Sequence, residues 1–236
     1  MKIHGISGLS LLDYPGNMAC TVFTGHCNYR CPFCHNAGLV LNPDSEPVIP
    51  EEKVFDLLEK RKGKLEGVAI TGGEPTLNRD LPDFCRRVKD TGVKVKLDTN
   101  GSNPGMLAGL IDEGLVDYVA MDIKAAPDNY TKAVGIDNFD MGQVFESVDI
   151  IMKAGNDMKI DYEFRTTVVG GIHTDKDFEK TGRWIKGAKA YYLQGYRVSE
   201  GQLNPEGLFT VPAETMEKYR EILLPNIPNT SLRGVL

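Results

Sequence analysis

Short apolar runs alternate with segments of helical periodicity along most of the chain. Runs rich in β-branched and aromatic residues predict six strands, over residues 18–24, 67–71, 93–97, 116–121, 159–169 and 190–193. Apolar residues at helical spacing predict helices over residues 51–61, 80–90, 104–113, 140–155, 175–186 and 212–223. Strands that alternate with helices in this way favour a parallel sheet with right-handed crossovers.

The number of strand–helix units limits the kind of parallel fold. A complete eight-stranded barrel needs roughly 250 residues, whereas this chain of 236 residues offers six units and two flanking segments. We therefore predict an α/β fold of the TIM type, an incomplete and splayed (β/α)6 barrel that forms a single domain. Residues 1–17 are expected to be an N-terminal leader, residues 18–197 the barrel core and residues 198–236 a C-terminal tail.

Charge and cysteine content narrow the classes of function. The formal net charge of −6 argues against a nucleic-acid-binding surface, which would carry a basic excess. No apolar run approaches the ~20 residues of a membrane span, and the N-terminus lacks a signal-peptide pattern. Five cysteines, three of them clustered, fit a reducing cytoplasm better than a disulfide framework. Cys20 and Cys85 lie outside the group of three; we expect both to be small buried hydrophobes, and two cysteines are too few for a further metal centre of their own.

Three cysteines follow the first predicted strand in a C-x3-C-x2-C spacing. Cys27, Cys31 and Cys34 lie too close together for a framework of paired disulfides, but they can hold a metal centre. Four ligands would complete a zinc site or a conventional cubane, and no fourth cysteine is near. The spacing therefore favours a [4Fe–4S] cluster with one iron open to a non-protein ligand. A zinc site completed by His26 or His35, and three ordinary reduced cysteines, are the alternatives.

Polar motifs follow three of the other predicted strands. They are Thr71-Gly72-Gly73-Glu74-Pro75, Asp98-Thr99-Asn100-Gly101 and Asp122-Ile123-Lys124. The two glycines allow the backbone to approach a ligand, and Glu74 offers a carboxylate to an ammonium group. Each motif alone is equally consistent with a simple turn. Because the carboxyl ends of parallel strands meet at one rim, we expect all of them to converge with the cysteines there.

The motifs CNYRCPFCHN, TGGEP, DTNG and MDIK, in this order, resemble those of the radical S-adenosylmethionine (radical SAM) activases of glycyl-radical enzymes. The resemblance extends over roughly residues 10–200 and is nearest to the activating proteins of anaerobic ribonucleotide reductase. Two details favour an activase. His35-Asn36 follows the last cysteine, where deazaguanine synthases tend to have Asp-Thr, and Asp13-Tyr14-Pro15-Gly16 is similar to an activase D-x-P-G loop.

The resemblance implies a role for each matching residue. It makes Cys27, Cys31 and Cys34 the ligands of one [4Fe–4S] cluster. Other residues would bind S-adenosylmethionine (SAM): Gly72, Gly73 and Glu74 at its amino end, Asp98 and Lys124 at its ribose or carboxylate, Phe33 against the adenine, His35 beside the cofactor, and Arg165 at the methionyl carboxylate. An equally good reading places Arg165 on the polar face of an edge strand.

Two further sites are implied in the same way. Asp98, Thr99 and Asp122 would hold a monovalent cation near SAM, unless Asp122 has a purely structural role. Asp13 and Tyr14 would face the partner protein. His4 and His173 are isolated in the sequence, so we expect them on the surface or in loops and assign them no role.

The activity implied is the generation of a glycyl radical on a partner enzyme. A flavodoxin- or ferredoxin-like donor would supply one electron, SAM would be cleaved to methionine and a 5′-deoxyadenosyl radical, and that radical would take a hydrogen atom from a glycine. Since little chain follows the sixth strand, we expect no lid, and a barrel mouth open to a partner loop with the Asp13–Gly16 turn nearby. Leu193-Gln194-Gly195 replaces a histidine of the pyruvate formate-lyase activase, which disfavours that partner.

Three alternatives remain open from the sequence. One is an activase of the pyruvate formate-lyase type. Another is a radical SAM enzyme that acts on a small molecule, such as a 7-carboxy-7-deazaguanine synthase. The third is a zinc- or cluster-binding module without catalysis, which the motifs at the strand ends disfavour.

Overall fold

A computed structural model of the protein describes residues 1–235; Leu236, the last residue of the predicted tail, lies outside the described residues. In this part of the chain nine strands form one sheet: β1 (Ile3–Ser10), β2 (Ala19–Thr24), β3 (Gly67–Gly72), β4 (Lys94–Thr99), β5 (Tyr118–Asp122), β6 (Asp161–Gly170), β7 (Tyr191–Gly195), β8 (Phe209–Thr210) and β9 (Thr230–Arg233). Strands β2 to β7 lie side by side in chain order and all run parallel. The predicted partial barrel of six parallel strands is confirmed.

Eight α-helices accompany the strands over the same described range: α1 (Ala37–Leu41), α2 (Glu52–Lys60), α3 (Leu81–Asp90), α4 (Pro104–Asp112), α5 (Tyr130–Val134), α6 (Gly142–Asn156), α7 (Asp175–Trp184) and α8 (Ala213–Leu223). The six longer ones match the predicted helices to within a few residues. Helices α1 and α5 were not predicted, because five residues are too few to show a 3.6-residue period.

The strands divide their side chains between the helices and the barrel lumen. On β3, β4 and β5 the apolar positions are completely buried in the hydrophobic core, together with the inward faces of α3 and α4. Cys20 and Cys85 are also buried and unpaired, as predicted. Alternate residues of the same strands point to the other face, where Lys96, Asp98 and Asp122 collect in the lumen. The two-residue alternation of a strand thus separates an apolar layer from a charged one.

The two flanking segments also contribute strands to the sheet. In residues 1–17, strand β1 pairs antiparallel with β2. In residues 198–235, β8 pairs with the end of β6, and β9 pairs parallel with β7. The division of the chain into leader, core and tail stays a prediction. No helix among residues 1–235 is long and apolar enough to cross a membrane.

Candidate active site

The cysteine loop, which we define as residues 25–36, leaves the carboxyl end of β2. It is anchored to the glycine turn, residues 72–74, at the end of β3. The backbone N–H of Gly73 donates to the carbonyl of Thr24 at 2.8 Å, and that of Glu74 donates to the carbonyl of His26 at 2.7 Å. The side-chain amide of Asn36 donates to the carbonyl of Gly72 at 3.2 Å. The cysteine loop and the glycine turn are therefore positioned by each other.

Both glycines of this turn are required by the close approach. Gly72 has a φ of +120°, and a Cβ atom there would lie 2.3 Å from the carbonyl oxygen of Thr24. A Cβ atom on Gly73 would lie 1.9 Å from the carbonyl oxygen of His26. These distances are far below van der Waals contact, so the backbone of the turn lies against the cysteine loop with no space for a side chain.

The carboxylate of Glu74 is hydrogen-bonded to other groups of the protein. Its side chain is buried, and its carboxylate accepts four hydrogen bonds: from the N–H and hydroxyl of Thr76, the hydroxyl of Thr99 and the N–H of Asn100. Burial raises the pKa of Glu74, while these donors act in the opposite direction. The carboxylate borders the cavity but is occupied in joining the ends of β3 and β4. Binding of the ammonium group of SAM by Glu74 stays a prediction.

A chain of alternating charges crosses the lumen. The Lys96 ammonium contacts one oxygen of Asp98, and Nη1 of Arg165 lies 3.2 Å from the other. Nε of Arg165 lies 3.0 Å from Asp122, which also contacts the ammonium of Lys124 at 2.8 Å. Burial by itself would raise the pKa of Asp122, but Arg165 and Lys124 outweigh it and hold the pKa at about 2. Arg165 thus points inward, and the alternative on the polar face of an edge strand is wrong.

The same chain of charges passes through the predicted cation site. The guanidinium of Arg165 lies between Asp98 and Asp122, where the cation was expected. The hydroxyl of Thr99 donates to Glu74 at 2.8 Å. The side-chain bonds of Asp122 are to Arg165 and Lys124 rather than to backbone groups, and the cation site stays a prediction.

One cavity of about 210 Å³ brings most of the predicted site together. Its lining includes Cys27, Cys31, Phe33, Cys34, His35, Gly72, Gly73, Glu74, Asp98, Thr99, Asp122, Lys124 and Arg165. Phe33 is buried in the wall and His35 is exposed at the rim. The cysteines, the glycine turn and both charged strand ends thus face the same space, as expected from their positions at the carboxyl ends of parallel strands.

Residues 196–208, which we name the strap, cross beside the cysteine loop. The N–H of Asn204 donates to the carbonyl of Pro32 at 2.9 Å, and Nδ1 of His35 lies 2.9 Å from the hydroxyl oxygen of Ser199. The hydroxyl of Tyr196 donates to Gln202 at 2.6 Å, within the strap. The strap thus borders the cysteine loop, but none of its residues lines the cavity, and the expectation of an uncovered mouth stays a prediction.

The donor set at the cysteines fits an iron–sulfur cluster better than a single metal ion. Within residues 1–235, no three His, Cys, Asp or Glu side chains converge as ligands of one ion. A zinc site completed by His26 or His35 is therefore not supported, whereas a cubane takes each thiolate at a different iron. Burial raises the pKa of the Cys31 thiol to about 12. Iron must therefore displace a proton from that thiol when it binds.

Asp13 and Tyr14 lie at the opposite end of the barrel. Ser10 pairs with Ala19 in the β1–β2 ladder, so the connection between these strands is at the amino end of β2. Tyr14 is buried beside Gly67 and Tyr118, at the starts of β3 and β5. The expected place of this turn near the barrel mouth is wrong, because β1 is antiparallel to β2 and carries the turn to the opposite end of the sheet.

Several residues of the site were not assigned from the sequence. Lys96 is one, although its position two residues before Asp98 on one strand places both on the lumen face. Asn100 lies next to Cys27, as described below. His173 lies in the loop between β6 and α7, as expected, but its side chain is buried. Its Nε2 lies 2.9 Å from the carbonyl oxygen of Lys124, and its Nδ1 accepts from the N–H of Val169 at 2.9 Å.

Comparison with known proteins finds relatives that are similar to this chain in sequence. Two proteins of Methanocaldococcus jannaschii, each named "putative glycyl-radical enzyme activating enzyme", match almost the whole chain. One is 31% identical, over 99% of this chain and 96% of its own length; the other is 28% identical, over 98% and 86%. A protein of Thermococcus kodakarensis named "probable GTP 3′,8-cyclase" is 28% identical, over 64% of this chain and 47% of its own length.

Solved structures share the fold at low sequence identity. SuiB of Streptococcus suis bound to S-adenosylmethionine has a TM-score of 0.66 and 13% identity, over 89% of this chain and 49% of that one. QueE from Escherichia coli has a TM-score of 0.56 and 13% identity, over 99% and 93%. At these identities the likeness shows the fold alone.

A match to a family model shows which protein family the chain belongs to. The model described as the radical SAM superfamily matches residues 21–185, which include every motif named above from the cysteine loop to Arg165. Enzymes of this family use a [4Fe–4S] cluster and S-adenosylmethionine, and the cavity presents three thiols beside polar strand ends. The chain belongs to the radical SAM superfamily.

Proposed function

We propose that this chain is an activating enzyme that generates a glycyl radical on a partner enzyme, with anaerobic ribonucleotide reductase as the expected partner. The observation that carries the proposal is the similarity to two relatives named as activating enzymes over 98–99% of this chain. The matches to GTP 3′,8-cyclases reach less than half of those proteins' length. The shared part is therefore the radical SAM core, which does not specify a substrate.

Different residues around the cavity would bind different parts of SAM. The backbone of Gly72 and Gly73 would approach the amino end, since no side chain separates it from the cysteine loop. Lys124 and Arg165 are the cations of the cavity wall, and either could bind the methionyl carboxylate. Phe33, buried in the same wall, would lie against the adenine.

Cations and carboxylates alternate around the lumen. Lys96, Arg165 and Lys124 are matched by the carboxyl groups of Asp98, Asp122 and Glu74. Within residues 1–235, Lys124 contacts only one carboxylate, that of Asp122, and an ammonium group has three donors, so it can also donate to a carboxylate of the ligand. When bound, the cluster supplies the electron that cleaves SAM to methionine and the 5′-deoxyadenosyl radical.

The chain's own residues need not transfer a proton in this chemistry. Hydrogen abstraction from a glycine replaces one C–H bond by another, and the radical passes to the partner. The protein has to hold SAM at the cluster, keep water away and admit one loop of the partner. A flavodoxin- or ferredoxin-like protein is the proposed donor of the electron.

The proposal is tested with protein reconstituted anaerobically with iron and sulfide. Dithionite-reduced protein should form 5′-deoxyadenosine from SAM, and addition of a purified anaerobic ribonucleotide reductase should give a glycyl radical signal in electron paramagnetic resonance. The same mixture with a reductase whose radical glycine is replaced by alanine is the matched control. SAM cleavage with no radical on that reductase or on a pyruvate formate-lyase would contradict the activase function. Consumption of GTP in place of a partner radical would favour the small-molecule alternative.

A further inference from the structure

One buried hydroxyl beside the cysteines has no partner. Among the buried side-chain nitrogen and oxygen atoms of residues 1–235, two make no hydrogen bond: the hydroxyl of Tyr29 and Nε2 of His4. Tyr29 is 2% exposed, borders the cavity and packs edge-on against Phe139, with 5.3 Å between ring centroids. An unsatisfied buried hydroxyl costs about 1–3 kcal/mol. An unpartnered hydroxyl on a residue that borders the cavity therefore points to a ligand that would satisfy it.

The sulfur of Cys27 already has two donors nearby. The backbone N–H of Tyr29 lies 3.4 Å from Sγ, and the side-chain nitrogen of Asn100 lies 3.8 Å from it. The orientation of the Asn100 amide follows from its other bonds. Its oxygen accepts from the N–H of Ser102 at 2.9 Å, and its nitrogen donates to Asn28 at 3.0 Å. The amide nitrogen therefore faces the sulfur.

We propose that the hydroxyl of Tyr29 and the side-chain amide of Asn100 donate hydrogen bonds to sulfur atoms on the Cys27 side of the [4Fe–4S] cluster, and that they raise its reduction potential. Reduction brings one electron from an external donor onto the cluster, and the sulfur atoms become more negative. Donors aimed at those atoms stabilise the reduced form more than the oxidised form. The proposal concerns the cofactor of the family and holds whichever substrate the enzyme uses.

Asn100 also connects this donor set to the glycine turn. Its backbone N–H donates to Glu74 at 2.6 Å, while its side chain reaches Cys27. Glu74 in turn lies directly after Gly72 and Gly73. The buried carboxylate that joins β3 to β4 therefore also sets where the Asn100 amide meets the cysteine.

Tyr29→Phe tests the hydroxyl with little change in shape. The reduction potential of the reconstituted cluster, measured by spectroelectrochemistry without SAM, should shift to a more negative value. The thermal unfolding midpoint of the cluster-free variant should equal or exceed that of the wild type, because the variant lacks an unsatisfied buried hydroxyl. An unchanged or more positive potential, or a lower midpoint in the cluster-free variant, overturns the role of Tyr29.

Asn100→Ala tests the amide, with Asn103→Ala as the matched control. Asn103 lies three residues away, donates to the carbonyl of Thr76 at 2.8 Å and caps α4, and it is not among the residues that line the cavity. The potential should become more negative in Asn100→Ala and stay at the wild-type value in Asn103→Ala, although both variants lose stability. Equal shifts in the two variants, or no shift in Asn100→Ala, overturn the role of Asn100. If Asn100→Ala takes up no cluster, Asn100→Ser is measured against the same control and the same outcomes apply.

Discussion

Arg165 and Asp122 stand opposite each other in the register of β5 and β6, and Nε of the guanidinium lies 3.0 Å from the carboxylate. Its Nη1 extends past β5 to Asp98 on β4, at 3.2 Å. One side chain thus joins three neighbouring strands at the rim of the cavity. The arrangement explains why two acidic residues tolerate burial in the same lumen.

Replacing Arg165 with alanine should leave two partly buried carboxylates without a shared cation. Removal of one partner from a fully buried ion pair typically costs about 3–5 kcal/mol. Because the side chains of Arg165, Asp98 and Asp122 are 13%, 17% and 29% exposed, we expect a smaller loss, about 2–3 kcal/mol, in the free energy of unfolding from urea denaturation. SAM binding should weaken as well. Arg165→Lys should recover only part of the stability, because one ammonium cannot serve two carboxylates in different directions.

Arg86→Ala is the matched control for this prediction. Arg86 also contacts two carboxylates, those of Asp83 and Glu113, but its side chain is 47% exposed. Exposed pairs contribute at most about 1 kcal/mol, so Arg86→Ala should be nearly neutral. A loss in Arg86→Ala equal to that in Arg165→Ala would show that burial of the pair is not the cause.

The acid side of the stability profile should depend on Asp122. Its pKa of about 2 in the folded protein lies below the ordinary value of about 3.9 for an unfolded chain. The unfolded state therefore binds the proton first as the pH falls, and stability present above pH ~4 is lost between pH ~4 and pH ~2. Asp122→Asn should be less stable at neutral pH and should lose less stability over that interval. Urea unfolding at several pH values measures both, and equal slopes for the two proteins would contradict the role of Asp122.

Replacing one of the three clustered cysteines should abolish iron binding, whereas replacing an isolated cysteine should not. Cys31→Ala should lose the brown colour and the iron, about four atoms per chain, that the reconstituted wild type holds. Cys85→Ala removes an equally buried thiol on α3 and should keep both, with only a modest loss of stability. Iron analysis and the visible spectrum measure the difference. Full iron content in Cys31→Ala, or bound zinc in place of iron, would contradict the ligand assignment.

Gly73 should tolerate no side chain. In Gly73→Ala the new methyl group would meet the carbonyl oxygen of His26, so we expect the cysteine loop to shift and both iron content and SAM binding to fall. Gly109→Ala is the control: this glycine lies inside α4 with open space around its Cβ position, and alanine there should stabilise the protein by about 0.5–1 kcal/mol. Normal iron content and SAM binding in Gly73→Ala would show that the contact can relax.

Periodicity and spacing predicted the parallel sheet, the six core strands and the place of each motif at a strand end. They succeed because the hydrophobic pattern of a strand or helix is a local property, and because parallel strands must carry their carboxyl ends to one edge. The same reasoning placed the cysteines, the glycine turn and Lys124 around one cavity. The family resemblance rests on these residues, which are contiguous in short motifs.

Other features depend on contacts between residues far apart in the chain, and only the tertiary structure decided them. Glu74 accepts hydrogen bonds from Thr99 and Asn100 at the end of the next strand, and Arg165 from a third strand lies between Asp98 and Asp122. The antiparallel direction of β1 carries Tyr14 away from the site, and the strap returns from the far end of the chain to His35. The sequence by itself determined which groups meet at the rim, since that follows from local pattern. Which group pairs with which follows from strand order, direction and register, and those are properties of the folded sheet.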